Sequence, residues 1–357
     1  MKGAALHPGI LGLLAIGLLC GWLAQQIGTP LPYLLGSLLG VGATVIIAGN
    51  HMPDGVTFPQ NIRAAFVVVI GVMIGGAFNP SIFGDLPGLL LSGGLILVFV
   101  GFSFGANFLI FKKIGGYDAQ TAFCAGMPGG LIESIEMAEQ SGADTRIVTA
   151  QQFLRVVIVI VTLPLIFAYW TGAPVGSAAG MRIGAHSAAP VLMDWFLLSG
   201  AGIGGYLAGR ALRIPAHVII GPLLASAFVH GMGWTQAQPP GWLIILAQTV
   251  MGTGLGARFK GIGRRVLAQA FGLGLLSAAS MLCINLVMAY GVNLATLHPL
   301  PVLILCFAAG GLTEMSLIAL SFNANPVFVT MHHVLRILVT VIIASFAFNR
   351  LNLRNRA

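Results

Sequence analysis

Charge is what this sequence has least of. Its 357 residues include nine Asp and Glu and seventeen Lys and Arg, 7% charged against 57% hydrophobic. A soluble globular domain carries about 25% charged residues, so a water-soluble fold is excluded and a polytopic membrane protein is expected. Cysteine is scarce as well. Cys20, Cys124, Cys283 and Cys306 show neither C-x-x-C nor Cys/His spacing, which argues against a disulfide framework or a zinc site and for small apolar packing residues. No loop or tail is both basic and long enough for a water-exposed DNA-binding domain. The net charge of +8 gathers instead in short loops and at the C-terminus, as the positive-inside rule requires. No cofactor and no nucleic-acid partner is indicated; the expected partners are the lipid bilayer and a small molecule or ion, and a homodimer is compatible with the sequence.

Glycine, by contrast, is abundant at 49 residues, and small residues let helix backbones approach closely in lipid. One glycine-containing stretch occurs twice. Residues 129–155 read GGLIESIEMAEQSGADTRIVTAQQFLR and residues 310–336 read GGLTEMSLIALSFNANPVFVTMHHVLR. Without a gap, Gly129, Gly130, Leu131, Glu133 and Arg155 fall on Gly310, Gly311, Leu312, Glu314 and Arg336. Repetition of scarce charged residues at a fixed offset marks an internal duplication. Other segments pair likewise: 9–26 with 191–208, TPLPYLLGSLL (29–39) with IPAHVIIGPLL (214–224), and GVMIG (71–75) with GTGLG (252–256). The chain therefore divides into a first membrane repeat (1–171), a Gly/Ala/Ser-rich linker (172–190) and a second repeat (191–357).

Each repeat holds six apolar segments, and the cations decide how they thread. With the N-terminus cytoplasmic and every segment spanning, the basic loop Arg258–Arg265 falls outside, against the positive-inside rule. If the fifth segment of each repeat enters and leaves on one side, then Lys112–Lys113, Arg146, Arg210–Arg213, Arg258–Arg265 and the C-terminal tail all lie inside, and only Arg182 does not. The expected fold is thus an all-α integral membrane protein with both termini cytoplasmic. It consists of two inverted repeats, each of about five spans plus one re-entrant or broken helix. MPGG (127–130) and AAGG (308–311) are the expected breaks.

The candidate site residues cluster on those breaks. An ionisable side chain at a helix centre costs about 2.5–3.5 kcal/mol or more, so Glu133, Glu314, Arg155 and Arg336 are expected to be paired or functional. One reading is structural, with Glu133–Arg155 and Glu314–Arg336 ion pairs pinning each hairpin. The other is functional, with Glu taking a proton or cation and Arg a bidentate grip on an anionic solute. Gly129, Gly130, Gly310 and Gly311 supply the irregular backbone. Gln151–Gln152 and His332–His333 occupy equivalent places one turn before the arginines; Gln151 and His332 are taken as polar lining, and no metal site is expected.

The duplicated P-G-G-L-x-E…G-A-D…Q-x-L-R block, read at Pro128–Glu133, Gly142–Asp144 and Gln152–Arg155, resembles the bacterial AbrB family of duplicated membrane proteins. The second copy departs from it with Ala309 for the proline and Asn323-Ala324-Asn325 for G-A-D. The resemblance implies a membrane protein under two names, ammonia monooxygenase and AbrB-type regulator of gene expression. The proline-led segment is also distantly similar to cation/proton antiporters and bile-acid-type symporters, a likeness of fold alone. A monooxygenase needs a copper or iron site of clustered His and carboxylates, and the histidines here are scattered except for one adjacent pair. The expected function is a secondary transporter of a small, anionic solute coupled to protons or cations, with a membrane regulator or sensor as the alternative and an enzyme behind both.

Overall fold

The computed structural model describes residues 8–48, 58–78, 86–172, 190–214, 216–260, 262, 264–296, 298–321 and 324–350. Among them every regular element is helical. Five helices are long and apolar enough to cross a membrane. They are α1 (Pro8–Gln26), α4 (Leu86–Leu109, continued by a π-helical turn over Ile110–Ile114), α7 (Thr145–Thr171), α11 (Arg264–Ala295) and α14 (Pro326–Arg350). The helices α2 (Pro32–Ala48), α3 (Gln60–Gly76) and α9 (His217–Gly231) are apolar but have only 15 to 17 residues. At ~1.5 Å per residue they cover less than the ~30 Å of a hydrocarbon core. Completing the set among the described residues are α8 (Leu192–Ala211), α10 (Gly241–Gly256, followed by a 3-10 turn over Ala257–Phe259) and four short helices, α5 (Ala119–Gly126), α6 (Leu131–Ser141), α12 (Leu300–Phe307) and α13 (Leu312–Ser321). The linker expected at 172–190, with Arg182, falls outside the described residues over 173–189.

Helix starts repeat along the chain. Gln60 and Gly241, Ala119 and Leu300, Leu131 and Leu312, and Thr145 and Pro326 are each 181 positions apart. Spatially the chain forms two compact units, and neither is a sequence half. One comprises Met1–Asn79, Pro164–Gly263 and Leu320–Val327; the other comprises Pro80–Leu163, Arg264–Ala319 and Phe328–Ala357.

In the first unit the two sequence halves exchange packing partners. Helix α2 packs on α1 of its own half and on α10 of the other, while α9 packs on α8 of its own half and on α3 of the other. The G-x-x-x-G glycines make the exchange close. A Cβ at Gly71 would stand 2.7 Å from the Ile219 carbonyl oxygen, and one at Gly256 2.7 Å from that of Leu38. Backbone contact this tight is how helices associate where no hydrophobic drive separates them from lipid.

The second unit holds the broken helices. Helices α5 and α6 fold back on each other as a hairpin whose two ends meet: the Asp144 backbone N–H donates to Thr121 Oγ1 at 3.0 Å. Local sequence explains this base. Gly142, left-handed at φ +73°, stops α6. Asp144 then caps α7, accepting from the N–H groups of Arg146 and Ile147 at 2.9 and 3.2 Å. In the second copy Asn325 performs the same cap on α14, accepting from Val327 N–H at 3.0 Å. The hairpin buries Phe123, Met127, Met137 and Ala138 against Phe104 and Phe111 of the α4 region and Phe348 of α14.

Candidate functional site

Both hairpin tips lie where their helices stop. Pro128 lacks an N–H, and Met127 before it takes an extended conformation, φ −60° and ψ 124°. Ala308 takes nearly the same conformation, φ −61° and ψ 134°, with no proline after it. Each break leaves carbonyls at the end of α5 or α12 without helical partners, and in a membrane each such group costs several kcal/mol unless satisfied.

Side chains of the neighbouring long helices satisfy them, in matched positions. On α7, Gln152 Nε2 donates to the carbonyls of Cys124, Ala125 and Met127 at 3.0, 3.3 and 3.3 Å, and Arg155 Nη1 donates to Met127 O. On α14, His333 Nε2 lies 2.9 Å from Leu305 O and Arg336 Nη2 donates to Gly310 O at 3.0 Å. Cys124 and Leu305, like Gln152 and His333, are 181 positions apart, so one interaction is repeated. Asparagines on α4 and α11 assist: Asn285 Nδ2 donates to Ile304 O at 2.9 Å, and Asn107 Nδ2 approaches Gly126 O at 3.5 Å while its Oδ1 accepts from Ser277.

The acids sit elsewhere. Glu133 and Glu314 each occupy the third residue of a hairpin helix, whose first carbonyl acceptors are Gly130 and Gly311. Their carboxylates fold back over those glycines. A Cβ on Gly130 would meet Glu133 Oε2 at 3.1 Å, and one on Gly311 would collide with the Glu314 carboxylate. Glu314 also accepts from Thr313 Oγ1 at 2.8 Å. Negative charge in a first helical turn is favoured by the helix dipole. Among the described residues the expected Glu133–Arg155 and Glu314–Arg336 ion pairs do not form; Arg155 caps the end of α5, Arg336 holds the Gly310 carbonyl between α12 and α13, and each glutamate folds over the start of its hairpin helix. Glu136 and Glu139 are exposed.

This leaves the arginines with charge to spare. Arg155 and Arg336 are buried, 5% and 3% exposed, and both reach the tip of the first break, Arg155 at the Met127 carbonyl and Arg336 beside Gly129. Among the described residues, Arg155 Nε and Arg336 Nε and Nη1 are buried without a hydrogen-bond partner. A helix C-terminus offers only about half a negative charge and a lone carbonyl no more, so the two arginines keep roughly one positive charge or more uncompensated. Gly129 closes the cluster: a Cβ there would lie 3.3 Å from Thr340 Oγ1 and 3.7 Å from Arg336 Nε.

Of the residues singled out by sequence, Arg155, Arg336, Gly129 and Gly310 come together here. Gln151 and His332 point elsewhere. Gln151 donates to Tyr117 Oη at 3.0 Å and Ala270 O at 3.2 Å, and His332 bonds Ser92 and the Phe328 carbonyl at 2.8 Å each. Their neighbours Gln152 and His333 face the breaks instead. Positions three and four before an arginine both share its helix face, so spacing does not choose between them. Asn107 and Asn285 carry a signal that sequence reasoning passed over, an amide set in the apolar stretch of each of two long helices.

Comparison with known proteins follows the same lines. The family described as transition state regulatory protein AbrB matches residues 39–352. A Bacillus subtilis (strain 168) protein, Uncharacterized protein YhjN, is 25% identical over 352 aligned residues, covering 93% of this chain and 90% of that one. An Escherichia coli (strain K12) protein, Putative regulator AbrB, is 25% identical over 338 residues, covering 93% and 92%. With four-fifths and more of its length matched, the duplicated membrane-type chain described above belongs to the AbrB family.

Proposed function

We propose that the protein is a secondary transporter of a small anionic solute, moved together with a proton or cation. The observation that carries this reading is the pair of buried guanidiniums, Arg155 and Arg336, with donors left over after holding carbonyls at the two breaks. Guanidinium stays charged at any working pH, so it cannot exchange a coupling proton; it can hold an anion. Inverted orientation of the two repeats fits the depth of these residues. Arg155 lies ten residues into α7 and Arg336 ten into α14. Ten residues rise ~15 Å, half of a ~30 Å core. Entering from opposite faces, both reach the midplane, where interrupted helices hold substrates in secondary transporters.

Proteoliposomes containing a pH dye test this directly. Addition of external anions from a panel of sulfate, phosphate, and mono- and dicarboxylates should shift luminal pH for at least one of them, and Arg155→Lys should reduce the shift and Arg336→Lys reduce it further. Failure of every anion to move counts against transport. The regulatory name of the family and of the Escherichia coli relative favours a second reading, a membrane sensor using the same site, and binding without flux would select it. Orientation has its own test. Single cysteines at Gln238 and Ile262, in a background lacking Cys20, Cys124, Cys283 and Cys306, should react with an impermeant reagent from opposite sides; reaction from one side would remove the inverted repeat.

A further inference from the structure

We propose that His333 Nδ1 takes up the proton that accompanies the anion, an assignment that rests on reading Arg155 and Arg336 as the anion site. Hydrogen-bond roles fix the starting state. The Leu305 carbonyl 2.9 Å from His333 Nε2 can only accept, so Nε2 carries a hydrogen. Nδ1 is buried and without a partner among the described residues, so it offers a bare lone pair. Its charged surroundings are one-sided. Arg336 stands one turn further along α14, Arg155 beside Arg336 on α7, and His332 adjacent on α14. Helix α12 presents a carbonyl to the ring, and the carboxylates of Glu133 and Glu314 are folded over Gly130 and Gly311.

A proton on Nδ1 would add a third positive charge to this cluster. An anion seated between the guanidiniums reverses the balance, because an opposite charge nearby favours the protonated ring. Anion entry therefore draws a proton from water onto Nδ1, and by reciprocity the proton tightens the anion. The N–H bond breaks again when the anion leaves. The first repeat does not share this step. Gln152 makes the matching bond to Cys124 O but cannot titrate, so the cluster takes one proton per anion rather than two.

The duplication also supplies the substitution to use. His333→Gln installs the residue that already satisfies the equivalent carbonyl at position 152. Calorimetric titration of purified protein with sulfate and with succinate, near pH ~6 and just below the ordinary histidine value of ~6.5, in buffers of different ionisation enthalpy, counts the protons taken up. Wild type should take up about one proton per anion and lose affinity about tenfold per pH unit, whereas His333→Gln should take up about none and show a flat pH profile. The reverse replacement, Gln152→His, should raise uptake above one, and it carries the test if His333→Gln does not fold. Undiminished proton uptake in His333→Gln, or uptake unchanged in Gln152→His, overturns the assignment while leaving the arginine site standing. If no anion of the sulfate, phosphate, mono- and dicarboxylate panel binds wild type, the arginine site itself falls and His333 with it.

Discussion

The first hairpin breaks at Met127-Pro128-Gly129-Gly130 and the second at Ala308-Ala309-Gly310-Gly311, yet Met127 and Ala308 adopt matching backbone angles. Proline is thus not what opens the helix. The common elements are a glycine pair, an acid that folds over it, and a polar face on the next long helix that receives the freed carbonyls. Where the copies diverge, they diverge in chemistry rather than shape. Gln152 faces one break and His333 the other, and Arg336 keeps two unpartnered donors where Arg155 keeps one. The two copies keep matching backbone geometry at the breaks and differ in the side chains that face them.

The largest effect that would sharpen this comparison lies in the arginines. A point charge cannot reproduce guanidinium's fork, so Arg336→Lys should weaken anion binding about 100-fold, or ~2.8 kcal/mol, and Arg155→Lys about tenfold. Equal losses in titrations would break the asymmetry. Next come the tip glycines. Gly130 has φ +66°, where a Cβ costs about 1–2 kcal/mol, so Gly130→Ala should lower the unfolding midpoint. Gly311 is outside the left-handed region, and Gly311→Ala should instead displace Glu314 at a smaller cost in stability.

Smaller effects separate the hairpin bases. Asp118 caps α5, accepting from Thr121 N–H at 2.8 Å, whereas Pro299 precedes α12 with no side-chain cap. Burial pushes the Asp118 carboxyl up, but donation from the Thr121 side chain and nearby amides outweighs it and holds the group below its usual range. The sign follows: a depressed carboxyl stabilises the fold above its unfolded pKa, and that share is lost as pH falls through the folded value. Asp118→Ala should therefore destabilise by ~1 kcal/mol at neutral pH, with the difference from wild type shrinking in acid. Pro128→Ala should cost about 0.5 kcal/mol, through the unfolded chain, because Ala309 already serves the same backbone. Last, the cycle Glu133→Gln with Arg155→Gln should be additive within ~0.5 kcal/mol; strong coupling would restore the ion pair that the geometry lacks.

Much of this was legible in sequence because membrane physics leaves few options. Scarce charge fixed the class, and the repeat of Gly-Gly, Glu and Arg located both hairpins to within a residue or two. The partners of the charges were not legible. Glu133 and Arg155 are both unusual in apolar surroundings, and pairing them is the obvious guess. The breaks create helix ends of both signs, however, and those ends draw the two residues apart: the carboxylate goes to a helix start, the guanidinium to a helix end. Likewise nothing in the spacing says whether Gln151 or Gln152, His332 or His333, turns to the break; that depends on how α5 and α12 lie against α7 and α14.

The central claim is that Arg155 and Arg336 together hold an anion, and thermal unfolding of purified protein tests it most directly. A ligand that binds the folded state alone raises stability by RT ln(1 + [L]/Kd), ~2.7 kcal/mol at a hundredfold excess over Kd. Across sulfate, phosphate, and mono- and dicarboxylates, at least one anion should raise the midpoint of wild type most, that of Arg155→Lys about half as much and that of Arg336→Lys hardly at all. A panel in which no anion stabilises wild type, or in which one stabilises all three proteins equally, would contradict the account.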